Sequence, residues 1–284
     1  MELKTKIHWK WLVIIGAAVL VLAATVTVLL IHSARQSSQP QPGYSPSPKT
    51  SLQPNPYDAD SFSYAGDYLT CTEGKSTLGI DVSEWQTEID WTQVRDAGVE
   101  FVMIRIGRRG QEIGTLFPDE QAQNHYVGAK AAGLMVGGYF FSQAISPEEA
   151  VEEAELALEL TRDWELDMPI AFDWEHTSDE NRTAQVDGET LTACAAAFCE
   201  RLKKAGRDTL VYFNWDFANS RLNLEELANC GFWFAMYDKT LDFPHRVDMW
   251  QYTAFGAVPG IEGDVDLNLW LTYGQEEDNT DEEK

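Results

Sequence analysis

Eight short apolar runs punctuate residues 76–274 of this chain, and most of them are continuous rather than alternating. They are TLGIDVSEW (77–85), FVMIRIG (101–107), LMVGGYFFS (134–142), MPIAFDWE (168–175), TLVYFNW (209–215), FWFAMYD (232–238), VDMWQYT (247–253) and DVDLNLW (264–270). A strand with one wet face alternates apolar and polar residues. A continuous run belongs to a strand covered on both faces or closed into a barrel. Helical stretches separate the early runs: NHYVGAKAAG (124–133), SPEEAVEEAELALELTRDW (146–164) and GETLTACAAAFCERLKKAG (188–206). The second opens on a serine cap, a proline at the first helical position and early acids. The third closes on lysines and then glycine. Strands and helices alternate to about residue 215, and three strands then follow with little helix between them. The pattern predicts an α/β fold, a degenerate TIM-like barrel of eight strands. An open doubly wound sheet is the rival, but no G-x-G-x-x-G follows the first run to support a dinucleotide site.

What precedes the barrel reads differently. Trp11 to Ile31 is a run of 21 residues without a charge. As a helix it would span roughly 30 Å, the thickness of a bilayer core, and it is longer than the apolar region of a cleaved signal peptide. Lys4, Lys6 and Lys10 stand before it and only Arg35 soon after. The positive-inside bias therefore puts residues 1–10 in the cytoplasm and everything after the span outside, on a single-pass anchor in the cell membrane. Residues 32–75 hold six of the eleven prolines and read as an extracellular Pro/Ser-rich linker. Extended at ~3.1 Å per residue, it would reach on the order of 100 Å. The last ten residues, 275–284, carry six acids and one lysine and read as a solvated, disordered tail. With a net charge of -25, the chain lacks the basic footprint that a nucleic-acid binder needs.

The run PIAFDWEH (169–176) ends in two acids, Asp173 and Glu175, two apart and so on one side of a strand. Acids stand near the ends of two more runs: Asp81 in the first, Asp264 and Asp266 in the last. Burying an unpaired charge costs several kcal/mol, so acids converging from separate strands point to a site at the barrel's C-terminal face. Clustered carboxylates serve either divalent-metal binding or glycoside cleavage, which needs one acid to protonate the leaving oxygen and one anion to stabilise the cationic centre. The five histidines show no H-x-x-H spacing, which leaves a magnesium or calcium site open but unsupported. Aromatics in or near the runs favour sugar: Trp85, Tyr139, Trp174, Tyr212, Trp215, Trp233, Tyr237, Trp250 and Tyr252. Four cysteines, at 71, 194, 199 and 230, allow three full pairings, and Cys194 and Cys199 on one helix should not face each other well. No cysteine opens a helix beside a strand, as the nucleophile of a wall peptidase would.

These segments resemble the glycoside hydrolases of family 25, the Chalaropsis-type lysozymes that cleave peptidoglycan. GIDVSEWQTEIDW resembles the family's opening strand, NHYVGAKAAGLMVGGYFFSQA its helix and third strand, and PIAFDWE its D-x-E strand. FWFAMYD and MWQYTAFGAVPGIEGDVDLNLW resemble its last three strands. The sequence departs at Thr87, where many members have glycine, at the basic RIGRRG (105–110), and at the bulky Trp174 between the two acids. The resemblance implies a barrel of eight strands and about five helices that cuts the β-1,4 bond between N-acetylmuramic acid and N-acetylglucosamine. Glu175 would be the general acid and Asp173 its partner in a substrate-assisted reaction, with Asp81 and Asp266 orienting the site. Tyr139, Tyr212, Tyr237 and Trp250, with Gln251, are the candidate substrate-binding residues. No cofactor and no metal ion is expected, the barrel is expected to be monomeric, and the partners are peptidoglycan glycan strands and the membrane. The rival is a lysozyme-like barrel that holds cell-wall glycan without cutting it, for which a general acid would have no use.

Overall fold

The computed structural model describes residues 51–72 and 75–273. The segments read as a cytoplasmic N-terminus (1–10), membrane span (11–31) and acidic tail (275–284) lie outside the described residues. Among the described residues no helix is long and apolar enough to cross a membrane.

The linker reading of 32–75 needs correction over its second half. A short 3-10 turn at Ala59–Ser61 leads into an antiparallel hairpin of β1 (Phe62–Ala65) and β2 (Tyr68–Cys71). Phe62, Leu69 and Cys71 are buried in the main core, and the Phe62 ring packs edge-on against Trp250, 5.0 Å between centroids. Upstream of the hairpin, Asn55 donates its side-chain amide to the Leu241 carbonyl (3.0 Å). Proline content flagged this stretch as unstructured. Its three buried apolar side chains, invisible as a periodic pattern over four-residue strands, hold it to the barrel instead.

After the hairpin come β3 (Lys75–Val82), α1 (Trp91–Asp96), β4 (Phe101–Arg109), β5 (Leu116–Pro118), α2 (Ala122–Ala132) and β6 (Met135–Ser142). The second half runs α3 (Pro147–Leu160), β7 (Ile170–Trp174), α4 (Gly188–Lys204), β8 (Thr209–Asn214), α5 (Trp215–Ser220), β9 (Gly231–Ala235), β10 (Met249–Gly256) and β11 (Val265–Thr272). The sheet order β3-β11-β10-β9-β8-β7-β6-β4 closes through β3 pairing with β4, so eight strands form the barrel; β5 hangs antiparallel on the end of β4. The degenerate last third has a specific form. Strands β3 to β10 of the barrel run parallel, and β11 runs antiparallel to both its neighbours. The described residues contain five α-helices, of which short α1 and α5 were not signalled by apolar periodicity.

Local chemistry sets the helix bounds. Ser146 caps α3 by accepting from the Glu149 N–H (3.4 Å), with Pro147 at the first helical position, where no amide donor is needed. Asp187 caps α4 by accepting from the Thr190 N–H (2.8 Å), and Arg201, Lys203 and Lys204 occupy its last turn against the negative end of the helix dipole. Helix α2 stops at Gly133, whose φ of 85° is open to glycine but strained for other residues.

The continuous strand runs are buried on both faces. One set of side chains fills the barrel: Phe101, Met103, Leu210, Trp233 and Met249. The other set, with Ile80, Val102, Phe172 and Phe232, meets Phe198 and Leu202 of α4 and the other helices. Each such side chain contributes roughly 1.5–3 kcal/mol on burial. Gly79 of β3 faces the barrel's interior, where a Cβ would fall on the Phe101 ring. All four cysteines are buried, and none of them forms a disulfide.

Candidate active site

Strand alternation aims the acids. On β3, Ile80 and Val82 point outward into the helix-covered core, so Asp81 between them points into the barrel mouth. On β7, Phe172 and Trp174 point outward, so Asp173 points inward, and Glu175 follows one residue beyond the strand. The bulky Trp174, unexpected between two acids, is thus a core residue. It donates its indole N–H to the Ala144 carbonyl (3.0 Å) and packs against Phe217. Asp266 lies near the start of β11. Because that strand is antiparallel, its start sits at the same end as the C-termini of the others, directly opposite Asp81 in the ladder. Asp264, in the same sequence run, is exposed and outside the cleft walls.

Asp81, Asp173, Glu175 and Asp266 line one cleft of about 230 Å³. Asp81 is held most completely. Its Oδ2 accepts from Gln251 Nε2 (2.9 Å) and Asn268 Nδ2 (2.8 Å). Asn268 Oδ1 accepts from the Trp233 indole (2.8 Å), and Gln251 Oε1 accepts from the Tyr212 and Tyr237 hydroxyls (3.0 and 3.1 Å). Those acceptor bonds fix both amides so that their NH2 ends face Asp81. Asp173 is different: its buried Oδ1 has no hydrogen-bond partner among the described residues. Glu175 is solvent-exposed at the cleft's mouth.

The electrostatics follow from this crowding. Burial pushes Asp81 well above the usual carboxylate range. The Asp266 charge adds to this, while the Asn268 and Gln251 donors hold it back. Burial also raises Asp173, aided by Glu175 and Asp81, and the Arg105 guanidinium opposes the rise. Although Glu175 keeps a solvent-facing side, the cleft walls withdraw its carboxyl from water and raise it, and Asp266 adds to the rise. Asp266 is pushed up to about 6 by burial. Each of the four carboxyls is thus shifted toward its protonated form, and they titrate as one coupled group.

The proposed sugar-binding residues divide. Tyr139 forms part of the floor, and burial beside Asp81 raises its phenol well above 10. Tyr212 and Tyr237 line the wall, and Tyr237 is 55% exposed at the rim. Gln251 lines the cleft, but its amide is engaged on both ends within the protein, so it orients Asp81 and the two tyrosines. Trp250 is a correction: it is 0% exposed, outside the cleft walls, with its N–H donating to the Met236 carbonyl (2.8 Å). It sits one residue from inward-facing Gln251 on β10 and must point the other way. Two more residues reach the cleft: Trp85, one of the aromatics read as favouring sugar though not among the substrate-binding candidates, and Arg105, which was missed. Trp85, 78% exposed on the loop after β3, stands at the mouth as a free apolar face. Its place among the aromatics of the first run was the available signal. Arg105 lines the cleft and pairs with Asp119 (2.7 Å) and Glu84 (2.8 Å). Basic RIGRRG marked it, but nothing local tied it to Asp173. Among the described residues, no group of three His, Cys, Asp or Glu side chains has a metal-holding arrangement.

Known proteins resemble this chain over the barrel. A family model described as "Glycosyl hydrolases family 25" matches residues 80–261. Lysozyme M1 of Streptomyces globisporus is 28% identical over 202 residues, covering 67% of this chain and 66% of its own. The autolytic lysozyme of Clostridium acetobutylicum is 28% identical over 194 residues, covering 67% and 54%. The solved structure of the modular autolysin LytC from Streptococcus pneumoniae, in complex with a synthetic peptidoglycan ligand, is similar at a TM-score of 0.62. It shares 26% identity, over 71% of this chain and 48% of LytC. The chain thus spans between about half and two thirds of the length of these relatives.

Proposed function

The chain belongs to the glycosyl hydrolases of family 25, and from that premise we propose that it is a muramidase cutting peptidoglycan between N-acetylmuramic acid and N-acetylglucosamine. The observation that carries the reading is the contrast between its two strand-β7 acids. Glu175, one residue past the strand, stands open at the mouth of the cleft, while Asp173, within it, lies behind with a buried, unpartnered oxygen.

Glu175 faces the mouth, where a glycosidic oxygen must be given a proton, and the cleft walls and Asp266 shift it toward the protonated form that this role needs. Asp173 Oδ1 is free to accept the N–H of a substrate acetamido group. Holding that group by its N–H turns the acetamido oxygen toward the anomeric carbon, where it attacks as the leaving sugar departs with the Glu175 proton. With the proton of the pair on Glu175, the Asp173 carboxylate, favoured by the Arg105 guanidinium, stabilises the positive charge that develops on the acetamido group. Glu175, now ionised, takes a proton from the water that opens the cyclic intermediate. Asp81 is held rigid by Gln251 and Asn268, and with Asp266 it sets the negative potential under the reacting ring. Trp85 and Tyr237 offer exposed rings for sugar faces at the rim. Incubating the purified protein with cell walls and measuring released reducing ends tests the reading. Binding of the walls with no reducing ends would leave only a glycan-holding barrel.

The same arrangement sets a pH dependence. Glu175 loses its proton as pH rises through its raised pKa, so the alkaline limb of kcat/KM belongs to it. Asp266→Asn removes the charge that, after burial, holds that pKa up. The limb is therefore expected to move to lower pH, as read from pH–rate profiles of the two proteins. A limb that stays put or moves higher would assign it to another group.

We also place the barrel outside the cell on a membrane anchor at residues 11–31. Protease added to intact protoplasts should then release a fragment containing residues 51–273. Full protection of that fragment in intact protoplasts, with cleavage only after lysis, would reverse the orientation.

A further inference from the structure

Gln143 lies directly after β6 and is 0% exposed, and all of its polar groups are engaged. Its Nε2 donates to the carbonyls of Ser142 (2.8 Å) and Glu175 (2.9 Å). Its Oε1 accepts from the hydroxyls of Thr177 (3.2 Å) and Thr183 (3.3 Å). Its backbone carbonyl accepts from Arg182 Nη1 (2.8 Å), and its backbone N–H donates to Glu153 (3.4 Å). Four of these partners, Glu175, Thr177, Arg182 and Thr183, belong to one segment, the loop that leaves β7.

That loop needs an anchor because the sheet stops short of it. The β6–β7 ladder ends at Ser142 and Trp174, and the β7–β8 ladder ends at Asp173 and Tyr212. Glu175 is the first residue past both. Around Gln143 the clamp continues through charge. Arg182 pairs with Glu149 (2.8 Å) in the first turn of α3, and Arg109 binds Glu153 (2.8 Å) and the Glu149 carbonyl (2.8 Å). The β6–α3 corner and the loop after β7 are thereby tied together, with Gln143 at the point nearest Glu175. Only an amide fits this place, since two carbonyls require donors and two hydroxyls require an acceptor. A glutamate would set oxygens against the carbonyls, and an apolar side chain would take this partner from both carbonyls and both hydroxyls.

We propose that Gln143 is a positioning residue for Glu175: by gripping the main chain of the acid and the hydroxyls of its loop, it fixes where the acid's carboxyl meets the glycosidic oxygen. The inference rests on the muramidase reading, and it concerns proton delivery alone. A misplaced acid slows bond cleavage only when the leaving group needs a proton. Substrate binding through the cleft walls is left in place, so the effect falls on kcat rather than KM.

Gln143→Met, close in size and without the amide, is the test. On peptidoglycan fragments kcat is expected to fall about 10²-fold, the scale of a misplacement of about 1 Å, with KM changed much less. On an aryl glycoside of the same sugar, whose phenolate leaves without protonation, kcat/KM, which reports that first cleavage and not the later attack of water, should stay near the wild-type value. Hydrogen exchange of amides 175–183 should speed up while the rest of the barrel is unchanged. Equal losses on both substrates would make Gln143 merely structural, and a wild-type rate on the glycan would remove its role altogether. Should Gln143→Met fail to fold, Thr183→Val, which removes the hydroxyl's bond to the Gln143 amide, carries the same comparison of substrates. If the wild-type protein cuts neither substrate, the hydrolase reading fails, while hydrogen exchange still reports separately whether Gln143 holds the loop.

Discussion

Glu175→Gln is expected to leave the barrel folded and to lower the release of reducing ends from peptidoglycan by about 10² to 10⁴-fold. The fold should tolerate it because Glu175 lies beyond the last residue of β7 and is exposed, so no core contact is lost. The only bond that Gln143 makes to residue 175 goes to its main-chain carbonyl, which the substitution keeps. The loss arises because glutamine keeps the shape and removes the transferable proton. The two nearest inward carboxyls are badly placed to substitute. Asp173 and Asp81 are buried behind it, and Asp81 is held by two amide donors. Reducing-end assays, with circular dichroism as a check on folding, read the result. A lytic rate near wild type would remove Glu175 from the role of acid and leave Asp266, raised to about 6, as the next carboxyl to examine.

Asp173→Asn should be nearly as damaging, with a loss on the order of 10² to 10³-fold, the scale seen when one preorganised electrostatic partner of a transition state is removed. The reason is the unpartnered Oδ1. A buried carboxylate oxygen with no donor is costly, and a substrate N–H arriving there satisfies it. Asparagine can still accept through its amide oxygen but cannot balance the positive charge that builds on the acetamido group. The same reasoning predicts that glycans whose cleaved sugar lacks its N-acetyl group are cut far more slowly while their binding changes less. It also predicts retained anomeric configuration with no trapped ester between sugar and protein. A direct carboxylate nucleophile would form that ester and would place the two carboxyls about 5–5.5 Å apart, and an inverting enzyme would place them about 6.5–9.5 Å apart with a water between. NMR of fresh product distinguishes the outcomes. An inverted product, or undiminished cutting of the de-N-acetylated glycan, would exclude assistance by the substrate.

Much of the barrel was legible because continuous apolar runs have few solutions. The runs over 101–107, 134–142, 168–175 and 209–215 each became a parallel strand, and the capping signals at Ser146 and after Lys204 bounded their helices within a few residues. The acid pair was legible for the same reason: period two on β7 places Asp173 and Glu175 on one side whatever surrounds the strand. Residues 51–72 were misread because proline density says where regular structure is disfavoured but not where three apolar side chains find a core. Trp250 was misread because aromatic content cannot tell the two faces of a strand apart.

What the sequence by itself determined, then, is a set of periods: which runs are strands, where helices start and stop, and which neighbours share a face. These are local properties, settled within a few residues by sterics and by burial of one stripe. What only the tertiary structure decided is pairing across distance. The reversal of β11 brings Asp266 opposite Asp81, though 185 positions separate their numbers. Gln251 and Asn268 meet at Asp81 because β10 and β11 close the barrel beside β3. Gln143 reaches Glu175 because β6 and β7 end side by side. Each of these contacts depends on strand order and register. Those are chosen by the closure of the whole barrel, in which every inward side chain must fit the others at once, and no short window of sequence carries that condition.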